Sequence, residues 1–95
     1  MKLKKYKTHS EILAEMMKDS EFKAAYEAEE RKERLQETLA EWRKFAGLTR
    51  SQVAERMGVT PPTVTKMENN VTKASIETLV RYAQACGIQN PQITL

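Results

Sequence analysis

The fourteen residues MGVTPPTVTKMENN, positions 57–70, decide how the rest of this chain is read. Two prolines stand side by side ahead of a segment in which Val64, Met67 and Glu68 repeat at helical spacing. Proline breaks a helix interior because it lacks an N–H and its ring crowds the preceding turn. In the first turn neither objection holds, since those N–H groups have no intrahelical partner and proline's φ is preset for helix. The spacing therefore predicts a helix that starts at Pro61 or Pro62, with Thr60 as the N-cap that satisfies a free N–H. Both starts stay open because a residue ahead of a proline disfavours the α region. Such a device defines where a helix begins, which matters when the start of the helix does the work.

The residues upstream supply the reason. Thr49-Arg50-Ser51-Gln52 has the T-x-x-Q form of a capping box. Val53, Ala54 and Met57 give the short helix after it an apolar side, Gly58 closes that helix, and Val59 reads as a buried anchor. Two short helices joined through Gly58-Val59-Thr60 make a helix-turn-helix, in which the second helix enters the DNA major groove by its N-terminal end. Thr63, Thr65, Lys66 and Asn69 point away from the Val64–Met67 face, and Thr and Asn can hydrogen-bond base edges. Lys66 reads guanine or holds a phosphate. Arg50, with Ser51 beside it, starts the first helix and can clamp a phosphate next to free backbone N–H groups. Lys73, after the second helix, is another phosphate candidate. The predicted DNA-binding set is thus Arg50, Ser51, Thr60, Pro61, Pro62, Thr63, Thr65, Lys66, Asn69 and Lys73. Taken singly each is an ordinary solvated residue; together on one motif they point to DNA.

Around this motif the composition favours an all-α protein. The chain has 95 residues, 31% of them charged and only 6% aromatic, with three Gly and three Pro to punctuate it. The net charge of +3 is too small to argue for nucleic acid by itself. Its distribution says more. Residues 1–10 carry four lysines and no acid, 11–46 carry ten acids against seven bases, and 47–95 carry five bases against three acids. The single cysteine, Cys86, allows no disulfide within the chain and fits a reducing cytoplasm. No apolar stretch approaches membrane-spanning length. His9 stands alone, so no multi-histidine metal site exists, and the sequence calls for no cofactor.

Toward the N-terminus, residues 1–7 form a basic arm. Thr8-His9-Ser10-Glu11 is a second capping box, opening a short helix with the stripe Ile12, Leu13, Met16 and Met17. Asp19 or Ser20 caps a restart. From Ser20 to Ala46 no Gly or Pro intervenes. Phe22, Ala25 and Tyr26 make one apolar patch; Leu35, Leu39, Trp42 and Ala46 make another. The charged run EAEERKER between them is a solvated connector, an arm for a partner, or both. Toward the C-terminus, Gly47 ends the long helix, Asn69-Asn70 ends the second helix of the motif through a left-handed residue, and Ser75 caps a last helix. That helix carries Ile76, Leu79, Val80 and Ala83 at i, i+3, i+4 and i+7 and stops at Gly87. Gln92-Ile93-Thr94-Leu95 alternates like a short strand.

GLTRSQVAERMGVTPPTVTKMENN, with SIETLVRYAQACG downstream, resembles the Cro/CI-type (Xre) helix-turn-helix family from about Leu39 to Gly87. The chain departs from that family's habit at Arg50, where Gln is frequent, and at Pro61, where a polar residue is frequent. The resemblance implies an ion pair between Arg43 and Glu68, structural and partly buried. The flanks KTHSEILAEMMKDSEFKAAYEAEE and GIQNPQITL resemble HigA-type antitoxins, whose partners are small basic RelE/HigB-like ribonuclease toxins. That resemblance implies two tasks: neutralising the toxin, and repressing the shared operon as a homodimer on double-stranded operator DNA. Ile12, Leu13, Met16, Met17, Phe22 and Tyr26 would then meet the toxin, and the acidic stretch suits a basic partner. The expected organisation is an N-terminal arm and helical extension over 1–34, a helix-turn-helix bundle over 35–88, and a tail over 89–95 that could pair as a dimerisation strand. The surface from Ile76 to Ile88 is a further dimer candidate.

Three other functions are weighed against this one. A stand-alone Xre-type repressor would use the N-terminal segment for self-assembly. An adaptor would keep the motif without binding DNA. An enzyme finds no support, because the sequence offers no His–acid pair, no Cys–His pair and no phosphate loop. Cys86, Trp42 and Tyr82 read as packing residues.

Overall fold

The computed structural model describes residues 8–95; the basic stretch of 1–7 lies outside them. The described residues form five α-helices: α1 (His9–Met16), α2 (Ser20–Ala46), α3 (Arg50–Met57), α4 (Pro61–Asn69) and α5 (Ile76–Ala85), with a 3-10 turn at Val71–Lys73. Two compact units divide the chain, Met1–Glu30 and Arg31–Leu95, and the division falls within α2.

In the first unit, Thr8 Oγ1 accepts from the Glu11 N–H at 3.1 Å and starts α1. Asp19, not Ser20, does the capping at the restart: its Oδ1 accepts from the N–H of Glu21 and Phe22 at 2.9 and 3.0 Å. No residue of α1 is buried.

The second unit holds the core. Leu35, Leu39 and Trp42 of α2 meet Val53 and Ala54 of α3, Val64 of α4, Val71, Leu79, Tyr82 and Ala83 of α5, and Cys86, which caps the C-terminal end of α5. Each large aliphatic side chain removed from water there contributes about 1.5–3 kcal/mol. The Trp42 and Tyr82 rings lie tilted, 6.3 Å apart. The inward stripe of α5 sits three residues later than its sequence pattern suggests. Leu79, Tyr82, Ala83 and Cys86 face the core, whereas Ile76 is 75% exposed and Val80 only half-buried. An amphipathic pattern gives a period, and the neighbour that covers the helix chooses the phase.

The turn between α3 and α4 follows its chemistry. Gly58 has φ +72°, the left-handed conformation that costs other residues about 1–2 kcal/mol. It lets the Val59 N–H reach back to Ala54 O at 2.9 Å, satisfying one of the last carbonyls of α3. Val59 is half-buried against the core rather than fully enclosed.

Three local expectations are corrected. Asn70 ends α4 at φ −116°, and among the described residues only glycines have positive φ. Its side chain caps instead, donating to Lys66 O at 3.0 Å. Thr60 is the N-cap of α4 but makes no side-chain bond to a helix N–H. Its hydroxyl pairs with that of Thr63 at 2.8 Å: Pro62, at the second helical position, has no N–H to offer, and the Thr63 N–H donates to Thr60 O at 3.0 Å. Residues 92–95 form no strand. Alternation makes a strand only where a neighbour supplies the ladder, and here Ile93 packs on the helical core while Leu95 stays 75% exposed.

Candidate nucleic-acid interface

α4 begins at Pro61, with prolines at its first two positions. Val64 and Glu68 are its buried residues and Met67 is half-buried, which pins one face to the core. Pro61, Pro62, Thr63, Thr65, Lys66 and Asn69 are all exposed, as are Thr60, Arg50, Ser51 and Lys73. The chain thus leaves the predicted face of α4 open to solvent along its length. Thr63, Lys66 and Lys73 border one shallow groove of about 490 Å³ whose floor includes Met67 and Ala74. On the other flank, Arg50 and Asn69 border a cavity of about 440 Å³ shared with Glu33, Glu37 and Gln36 of α2. Thr65 borders neither.

α3 presents its N-terminus through a complete capping box: Thr49 Oγ1 accepts from Gln52 N–H at 3.2 Å, and Gln52 Oε1 accepts from Thr49 N–H at 2.9 Å. That reciprocal pair sets the position of Arg50, the first residue of the helix.

Beneath the surface lies a carboxylate with three donors. Glu68 is 6% exposed. Its Oε2 accepts from Arg43 Nε at 3.0 Å and from the Tyr82 hydroxyl at 2.6 Å. Its Oε1 accepts from Arg50 Nε at 2.6 Å. Arg43 Nε also lies 2.9 Å from the Tyr82 oxygen, and Gln36 Nε2 donates to the Glu68 carbonyl at 3.1 Å. Among the described residues no buried side-chain polar atom lacks a partner. Burial first, then the bond to Glu68, pushes the Tyr82 phenol well above its ordinary pKa. The hydrogen bond to Glu68, then its charge, raises Arg50.

The Arg43–Glu68 pair is thus present, but it is one edge of a larger network. Tyr82, read as packing alone, gives its hydroxyl to the carboxylate. A buried tyrosine needs such a partner, but the sequence pattern of the last helix did not place Tyr82 on the inward stripe, so its burial became visible only in the fold. Arg50 is tied to Glu68 as well as standing at the helix start, and nothing local announced that, since the two are 18 residues apart.

In the first unit, Phe22 and Tyr26 are half-buried with rings stacked 6.1 Å apart. Leu13 and Met17 are half-buried, and Ile12 and Met16 are over two-fifths exposed. Among the described residues no cluster of His, Cys, Asp and Glu could hold a metal, and no helix is long and apolar enough to cross a membrane. The Cys86 thiol is buried, and that burial raises its pKa.

Residues 39–89 match the family described as Helix-turn-helix. The chain belongs to that helix-turn-helix family. The matched span runs from the buried Leu39 of α2 to just beyond α5, so it includes Glu68 and its side-chain partners. The chain is also 40% identical over 67 residues to Antitoxin HigA1 of two strains of Mycobacterium tuberculosis, a stretch covering 70% of this chain and 45% of each relative. The chain spans about half the length of these relatives. No solved structure matches. Both findings agree with the resemblance to HigA-type members of the helix-turn-helix family read from the sequence.

Proposed function

We propose that this protein is the antitoxin of a type II toxin–antitoxin pair. It neutralises a small, basic RelE/HigB-like ribonuclease toxin and represses its own operon by binding operator DNA as a homodimer. The observation that carries the reading is the 40% identity to Antitoxin HigA1, joined to a helix-turn-helix whose second helix leaves its polar face uncovered. In the DNA role, Thr63, Thr65, Lys66 and Asn69 meet base edges in the major groove, and Arg50, Ser51 and Lys73 meet phosphates. In the toxin role, the stripe of Ile12, Leu13, Met16 and Met17, with Phe22 and Tyr26, provides apolar contact within an acidic stretch. The exposure of Ile12 and Met16, at 44% and 43%, supports this, because an amphipathic helix with no buried residue has an apolar face to spare.

The test has two arms. Fluorescence anisotropy against the promoter upstream of its gene should show binding whose logarithm falls linearly with log salt, by about 0.9 for each phosphate neutralised. A tagged pull-down from the host, after nuclease treatment, should retain a small basic protein in stoichiometric amount, and deletion of residues 1–30 should release it. DNA binding without such a partner would make the protein a stand-alone repressor. A partner without DNA binding would make it an adaptor.

A further inference from the structure

We propose that Glu68 is a positioning residue for DNA binding: its buried carboxylate holds the Arg50 guanidinium by Nε so that the outer nitrogens are presented to a DNA phosphate. The proposal rests on the operator-binding reading above and deepens it at one contact.

Geometry carries the argument. Arg50 belongs to α3, the helix that crosses the DNA backbone in a helix-turn-helix, and stands at its first position. Its side chain is 55% exposed, whereas that of Glu68 is 8% exposed. The 2.6 Å bond uses Nε, leaving both Nη nitrogens, with four N–H donors, for the outer edge. That is the edge with which a guanidinium grips phosphate oxygens as a fork.

Charge points the same way. Glu68 brings one negative charge to two arginines, so the cluster of Glu68, Arg43 and Arg50 retains one positive charge. Arg43 is the inner member, 18% exposed, and is occupied by Glu68 and Tyr82. The surplus therefore emerges at Arg50.

The carboxylate itself is held in place. Tyr82 and Arg43 take Oε2 from the core side, so Oε1 cannot wander. A long arginine pays rotamer entropy to hold one geometry, and a fixed anchor removes much of that cost before DNA arrives. The neighbourhood also supplies a competitor. Glu33 and Glu37 border the same cavity as Arg50. Released from Glu68, the guanidinium would be drawn to these carboxylates on α2 instead of staying at the start of α3.

The experiment compares wild type, Arg50→Ala, Arg50→Lys, Glu68→Gln and the double variant Arg50→Ala/Glu68→Gln. Anisotropy is measured with the promoter duplex and with an unrelated duplex over a potassium chloride series, and circular dichroism checks that each variant is folded. Arg50→Ala and Glu68→Gln should each weaken binding on the order of tenfold, the scale of one charged hydrogen-bonded contact. Each should lower the salt slope by about 0.9. The losses should match on both duplexes, as phosphate contacts are sequence-independent, and the double variant should be no weaker than Arg50→Ala. Arg50→Lys, which keeps the charge and loses the Nε anchor, should fall near Arg50→Ala; this surface change tests the idea even if Glu68→Gln unfolds. The proposal is overturned if Arg50→Ala binds with wild-type affinity and slope. It is equally overturned if Glu68→Gln loses its full factor again in the Arg50→Ala background, or if Arg50→Lys binds like wild type. A wild-type protein that binds neither duplex removes the operator reading and this proposal together, an outcome distinct from these three.

Discussion

One carboxylate organises the second unit, and its removal should be felt far beyond its own contacts. Breaking a buried ion pair from one side costs about 3–5 kcal/mol where both partners are fully enclosed. Arg43 keeps some solvent and Arg50 more, so Glu68→Ala should cost somewhat less, about 2–3 kcal/mol. Urea denaturation monitored at the Trp42 fluorescence would measure it. Tyr82 gives a prediction with a sign. Its phenol is raised above the ordinary value of 10.0 in the folded protein, chiefly by burial. The folded state therefore holds a proton that the unfolded state gives up. The associated stability is fully present below the unfolded pKa and is lost as pH climbs past it toward the folded value. The melting temperature should thus drop steeply above about pH 10, and Tyr82→Phe should flatten that drop while lowering stability at neutral pH. Thermal melts from pH 8 to about 11 would show the two curves converging. Of these residues, the sequence announced Glu68 and Arg43 through a family resemblance. It did not announce that Arg50 and Tyr82 close on the same carboxylate.

Helix ends were the most legible elements, and two threonines show why some were read better than others. Thr49 and Thr60 both precede a short helix, and both are N-caps. Thr49 faces a helix start with every N–H in place, and its box with Gln52 forms in both directions. Thr60 faces two prolines and turns to the Thr63 hydroxyl. Thr49→Ala should therefore cost about 1 kcal/mol of stability. Thr60→Ala should cost no more than a few tenths, since it strips a surface hydroxyl pair and no helix N–H loses a cap. Calorimetry on the two variants would separate them, and an equal loss would mean that Thr60 caps after all. A weakening of DNA affinity by Thr60→Ala without loss of melting temperature would place that hydroxyl at the interface. α5 shows the opposite case: its period was legible and its phase was not, because the same spacing fits either Ile76-Leu79-Val80-Ala83 or Leu79-Tyr82-Ala83-Cys86. The second set wins where α2 and α3 cover it.

At the scale of the chain, the core belongs to the unit Arg31–Leu95, and every buried residue among those described lies within it. A fragment of residues 31–95 should therefore fold with the melting temperature of the full chain to within a few degrees, as checked by circular dichroism. A fragment that melts far lower would mean that residues before Arg31 contribute packing to the core. Two arginines help tie this unit together: Arg81 donates to Met57 O at the end of α3, and Arg56 donates to Ala85 O at the end of α5, each at 3.0 Å. Both place positive charge at a helix C-terminus, where the macrodipole favours it.

What the sequence determined by itself is local. The prolines, glycines and capping residues between 47 and 87 set where α3, α4 and α5 begin and end, since such signals act on the turn of helix beside them. The helix-turn-helix and its exposed face followed from them. What only the tertiary structure decided lies across distance. It chose which stripe of α5 turns inward, gathered Arg43, Arg50 and Tyr82 on Glu68, and left residues 92–95 without a strand. A side chain 14 to 25 residues away in sequence becomes a hydrogen-bond partner only when packing brings it there. An alternating segment becomes a strand only when another backbone lies beside it.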